Sequence, residues 1–293
     1  MRGNKLKDRG SGRRLAARVL ATGPGRRLVD GLVRLAGEPC LGPPGDPDDP
    51  ESLEHRRRIQ AVLNVAAGLR IVYQPIVDLG SLQVVGYEAL SRFDSDRTAE
   101  DWYDEAHAVG LGVELEMLAI SRAVADPPPH GYLSVNVSPA TLASDAFREF
   151  LDERLWGRLV VELTEHVGID DYDSLGRTVT RLRDRGGRLA VDDAGGGYAS
   201  LRHVVSLGPD IIKIDRSLIA SMDRDSGRRE LARSLSRFAH RTGASLVAEG
   251  IERPEEYDTC RQVGIDCGQG YLFGAPAPLE RLSRQQIVLG PTG

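Results

Sequence analysis

The chain has no apolar run of about 18 residues, the shortest stretch that reads as a membrane-spanning helix, so no transmembrane segment is predicted. Cysteine is scarce. Cys40, Cys260 and Cys267 form no CxxC pair, which argues against a zinc or disulfide framework and predicts a reducing, cytoplasmic setting. Cys267 is expected to be a packing residue in a strand. Arg13-Arg14 faintly resembles the start of an export signal, but Arg18 and then Gly23-Pro24-Gly25 interrupt the apolar residues that follow.

Charge is unevenly spread. Residues 1–36 hold ten Lys/Arg and two Asp, which leaves 28 basic and 41 acidic residues for the remainder, a net charge of −13 there. An acidic body is a poor general DNA binder. It suits an anionic substrate only where metal ions invert the local field. The stretch GEPCLGPPGDPDDPE (37–51) is dense in Pro, Gly and Asp and reads as a disordered linker. Residues 1–51 are therefore expected to be a basic tail and linker, 52–280 a single folded body, and 281–293 a C-terminal tail. Within the tail, Leu28, Leu32 and Leu35 fall at helical spacing.

The body alternates. A helix is predicted over 53–67, then strands over 70–77 and 84–90. Helices follow near 101–109 and 113–125. Strands are predicted at 132–137, 158–163, 188–192, 211–214, 245–249 and 265–268, separated by helices at 145–153, 172–185, 198–206, 225–241 and 254–263. The strands are rich in Val, Ile and Leu, as strands buried on both faces are. The connection Asp78-Leu79-Gly80-Ser81 is too short for a parallel crossover, so the first two strands are expected to be antiparallel. Eight strands with intervening helices predict an α/β TIM-type (β/α)8 barrel whose first strand is antiparallel.

Polar residues end nearly every strand: Glu88, Asn136, Glu162, Asp192-Asp193, Lys213, Glu249 and Gln269. In a barrel those ends converge on one mouth. Singly, a strand-end carboxylate is usually a helix cap or a surface ion-pair partner. Asp215, Glu252 and Glu255 read that way. As a set the residues do not, because independent caps need not terminate strand after strand. Crowded carboxylates raise one another's pKa, and hard divalent cations such as Mg²⁺ or Mn²⁺ would relieve the repulsion. No histidine falls in the ring, which disfavours a His-rich zinc or iron site.

The ordered series YQPIV (73–77), GYEALSR (86–92), NVS (136–138), ELTE (162–165), VDD (191–193), IKID (212–215), AEGIE (248–252) and GQGYLFGAP (268–276) resembles the EAL domains, a family of cyclic di-GMP phosphodiesterases. The likeness covers about residues 55–280. It implies a (β/α)8 barrel and hydrolysis of one 3′–5′ phosphodiester of cyclic di-GMP to linear pGpG. It also implies two Mg²⁺ or Mn²⁺ ions held by Glu88, Asn136, Glu162, Asp192, Asp193 and Glu249. Lys213 then positions or polarises the attacking water, and Gln269 supports that water's surroundings. Gln74 and Arg92 are implied as substrate contacts. Glu165 is implied as the anchor of the loop after Asp193, through which the family forms homodimers. That loop departs from the family's DDFGTGYSS: Ala194, Gly196 and Ala199 replace its Phe, Thr and first Ser. An extra glycine raises the entropy cost of ordering the loop. The rival reading is a non-catalytic domain that binds cyclic di-GMP or a protein. A Schiff-base enzyme using Lys213 is disfavoured, because carboxylates rather than apolar or cationic groups surround that lysine in the ring.

Overall fold

The computed structural model describes residues 49–65, 68–153, 157–164, 171–194 and 198–282. The basic tail, Cys40, Glu165 and the glycines of the loop after Ala194 lie outside the described residues. Helix α1 (Pro50–Val65) leads into β1 (Leu69–Asp78) and β2 (Val84–Phe93), followed by α2 (Ala99–Ala108) and α3 (Gly112–Ala125). Next come β3 (Tyr132–Val137), α4 (Pro139–Ala143), α5 (Asp145–Glu153), β4 (Leu159–Leu163) and α6 (Tyr172–Asp184). Then follow β5 (Arg188–Ala194), α7 (Tyr198–Leu207), β6 (Ile211–Ile214), α8 (Arg216–Ile219) and α9 (Ser226–Thr242). The order ends with β7 (Ser245–Ala248), α10 (Pro254–Val263), β8 (Cys267–Gly268) and α11 (Leu279–Leu282).

The strands close into a barrel in sequence order, as the alternation predicts. β1 is antiparallel to both β2 and β8, and the pairs from β2–β3 to β7–β8 are parallel. The reversal begins in a tight hairpin. Asp78 Oδ1 accepts from the Ser81 backbone N–H at 2.7 Å and from its hydroxyl at 2.6 Å, and Leu82 turns the chain with φ 57°. Helix α2 begins earlier than the sequence pattern suggests because Thr98 and Asp101 form a reciprocal capping box. Helix α1 is latched to α2 through buried Glu105, whose carboxylate meets Arg58 at 3.0 Å, His55 at 3.3 Å and Arg97.

Inside the barrel the pleat sets a vertical order. Ile76, Tyr132, Val160, Ala190, Ile211 and Val247 pack into one apolar layer, with Cys267 against it as expected. Arg188 lies over the Tyr132 ring at 4.6 Å. Gly86 makes that layer possible: a Cβ there would come within 2.6 Å of the Tyr132 ring. Among the described residues no helix is long and apolar enough to cross a membrane.

Candidate active site

Side chains along a strand alternate between faces, so the residue two positions from each layer residue, onward in β2 to β8 and back in the reversed β1, also points inward. From the apolar layer this step reaches Gln74, Glu88, Ser134, Glu162, Asp192, Lys213, Glu249 and Gln269, one for each strand. The structure gathers them into one network. Lys213 is 1% exposed, and its Nζ lies 2.6 Å from Glu249 Oε1 and 2.8 Å from Glu162 Oε2. It lies 3.4 Å from Asp192 Oδ1 and 3.6 Å from Glu88 Oε2. Gln269 Nε2 donates to Glu88 Oε2 at 2.6 Å and to Gln74 Oε1 at 2.9 Å, while Gln74 Nε2 donates to the Gly274 carbonyl at 3.1 Å. Asn136, one step higher on β3, donates from Nδ2 to Glu88 Oε1 at 2.9 Å.

Asp192 and Asp193 are successive residues, which a regular strand would send to opposite faces. Strand β5 avoids this with an irregularity: Val191 pairs Ile212, yet Ala194 pairs Ile214. The extra residue, with Asp193 at φ 53°, turns the chain. Aspartate tolerates that left-handed conformation better than most residues. Oxygen atoms of Asp192, Asp193 and Glu249 thereby lie within 4.8 Å of one another.

One ammonium faces four carboxylates here. Burial alone would lower the Lys213 pKa, but Asp192, Glu162, Glu249 and Glu88 more than reverse this and hold it well above the ordinary lysine value. Burial raises Glu162, and Glu88 raises it further. Burial likewise lifts Glu249 to about 8, with Asp192 and Glu88 adding to the effect and Lys213 opposing it. Glu88 goes the other way: burial opposes its charge, but Lys213 and the hydrogen bonds from Gln269 and Asn136 prevail and lower its pKa. Added positive charge would relieve the remaining repulsion.

The donor set fits hard divalent cations. It is all oxygen, the triad around Asp193 is compact, and Gln269 Oε1 is buried without a hydrogen-bond partner. Asn136 uses its amide nitrogen on Glu88, which leaves Oδ1 for another partner.

Arg92, the last residue but one of β2, lies on the same face as Glu88, exposed, donating to the Ser91 carbonyl at 2.8 Å. It and Asn136 line a cavity of about 510 Å³ that runs behind β2 towards α3. The walls are mainly apolar, but Glu116 and His107 also line it, joined at 2.8 Å between His107 Nε2 and Glu116 Oε1. Glu116 Oε2 accepts the Ser138 backbone N–H at 2.8 Å, which ties α3 to the end of β3. Burial lowers the His107 pKa, and Glu116 with Asp104 raises it by more, leaving a net rise.

Sequence reasoning missed Ser134 and this cavity. Asp215 behaves as expected, capping α8 by accepting the Ser217 N–H at 2.8 Å. Glu252 pairs with Arg216 at 2.8 Å, and Glu255 lies in the first turn of α10.

The barrel and its ring belong to a known family. Residues 56–276 match the EAL domain, and the chain belongs to that family. It is 29% identical to the probable cyclic di-GMP phosphodiesterase PdeB of Escherichia coli, over 78% of this chain and 46% of that protein. It resembles the crystal structure of the EAL domain of Mycobacterium smegmatis DcpA with TM-score 0.60 and 29% identity, over 73% of this chain and 94% of that one. An EAL domain protein of Listeria monocytogenes EGD-e superposes with TM-score 0.66 at 25% identity, over 80% and 97%. The chain spans less than half the length of the curated relatives it matches.

Proposed function

We propose that this chain is a divalent-metal-dependent phosphodiesterase that hydrolyses cyclic di-GMP to linear pGpG. The observation that carries the reading is the buried Lys213 ammonium ringed by Glu88, Glu162, Asp192 and Glu249, with Asp193 completing a three-carboxylate cluster beside it. Its membership of a family that includes the E. coli relative supports the choice of substrate.

Glu88, Asn136, Glu162, Asp192, Asp193 and Glu249 would hold Mg²⁺ or Mn²⁺. Such ions, when bound, activate water at neutral pH and stabilise the attacking and leaving oxygens of an in-line displacement. Lys213, kept protonated, donates hydrogen bonds that orient the attacking water and offsets the charge developing on the phosphoryl oxygens. A general-base role would need a neutral amine, which its carboxylate neighbours oppose. The water gives up a proton to solvent and its oxygen forms the new bond to phosphorus, while the bond from phosphorus to the 3′ oxygen breaks and that oxygen takes up a proton from solvent. Arg92 at the rim presents a forked set of donors suited to a phosphodiester. The adjoining cavity, mainly apolar, suits the flat apolar faces of a nucleobase.

Chromatography of cyclic di-GMP incubated with the purified protein tests the reading. The expected product is pGpG, formed with Mn²⁺ or Mg²⁺ and absent with EDTA. Binding of cyclic di-GMP without any pGpG would instead make the domain a receptor.

A further inference from the structure

Ser134 is an uncharged member of the inward ring, lies outside the proposed ligand set, and has no role in the chemistry proposed above. Its side chain is fully buried on β3, one step above Tyr132 and one below Asn136. A buried hydroxyl is costly unless bonded, and alanine would fill such a wall position without that cost. The Ser134 hydroxyl donates to Glu162 Oε1. The register explains the reach: Asn136 lies opposite Glu162 and Ser134 opposite Val160, so the hydroxyl meets the carboxylate from below. The other oxygen, Oε2, faces the Lys213 ammonium at 2.8 Å.

We infer that Ser134 is a positioning residue that ties down one Glu162 oxygen, leaves only Oε2, the oxygen beside Lys213, for a cation, and so sets which size of divalent cation the ring accepts. The inference rests on the metal-dependent reading above. A carboxylate with one oxygen engaged by a hydroxyl serves as a one-oxygen ligand. Small ions such as Mg²⁺ keep a tight octahedral shell that suits such ligands. Ca²⁺ takes more oxygens in a looser shell and readily uses both oxygens of a carboxylate. Freeing Glu162 Oε1 therefore favours the larger ion. Partners of metal ligands commonly alter metal affinity about 10–100-fold when removed.

The test is calorimetric titration of EDTA-stripped full-length protein with Mg²⁺, Mn²⁺ and Ca²⁺ in turn, for wild type, Ser134→Ala and Ser134→Cys. In Ser134→Ala, Mg²⁺ and Mn²⁺ are expected to weaken about tenfold while Ca²⁺ is unchanged or tighter, so that the preference for Mn²⁺ over Ca²⁺ falls by about that factor. Ser134→Cys keeps the size but donates weakly, and is expected to fall between the two. It also carries the test, with a shift in the same direction, should Ser134→Ala not fold. Folded variants with the wild-type ratio overturn the inference and leave the proposed function standing. Wild-type protein that binds none of the three ions overturns the metal-dependent reading itself, and this inference with it.

Discussion

Glu249 illustrates how a buried carboxylate in this barrel works against folding. Its pKa of about 8 in the fold, against an ordinary value of 4.5, means that the folded state binds the proton more tightly than the unfolded chain does. The sign follows from linkage: this group's most favourable contribution to stability lies below the unfolded value, declines as pH rises from about 4.5 to about 8, and is fully lost above that. Glu249→Gln removes the titration. In metal-free protein at pH 8 the variant is expected to be more stable than wild type by on the order of 1 kcal/mol or more, the gap narrowing towards pH 5. Urea denaturation at both pH values measures it, and a less stable variant at pH 8 would contradict the electrostatic account. Lys213 is the counterpart. Lys213→Ala is expected to lower kcat by at least about a hundredfold while KM changes little, because its proposed role lies in the reacting water and developing charge. A raised KM with unchanged kcat would make it a ground-state binding group instead.

At the scale of the element, β5 shows what a strand must do to present two adjacent carboxylates on one side. Its irregular register and the positive φ of Asp193 are legible only in three dimensions, because sequence alternation would have turned Asp193 outward. Asp193→Asn separates backbone from charge, since asparagine also tolerates the left-handed region. Calorimetry should show Mn²⁺ affinity reduced by more than tenfold with stability unchanged or raised. Wild-type affinity would remove Asp193 from the ligands. The other strands were more readable. Val/Ile/Leu runs ending in polar residues mark every ring position except two: Gln74, which lies mid-strand and is implied only by the family resemblance, and Ser134, which lies two residues before the polar strand end Asn136. Counting two residues on from Tyr132 would have found Ser134. The short helices α4 and α8 escaped notice because each is under two turns and carries no amphipathic period. The cavity behind β2 had no linear signal at all: its walls come from β1, β2, α2, α3 and the end of β3, and only the packing of these elements on one another encloses it.

At the scale of the whole molecule, the antiparallel first strand and the ring belong to one design. Reversing β1 brings Gln74 in from the opposite chain direction, directly across from Glu88, where it also accepts a hydrogen bond from Gln269 at the end of β8. The three residues close the ring at the junction of the first and last strands. An acidic body with its carboxylates concentrated at one mouth can receive an anionic substrate once cations reverse the local field. This ring is the proposed metal-dependent catalytic centre. Its most direct test is the rate of pGpG formation by EDTA-stripped protein as Mn²⁺ is added back, for wild type and for Glu88→Ala. Wild type should go from no turnover to sustained turnover, while Glu88→Ala, still folded by circular dichroism, stays inactive at every Mn²⁺ concentration. Turnover by the stripped wild-type protein, or wild-type-like turnover by Glu88→Ala, would contradict it.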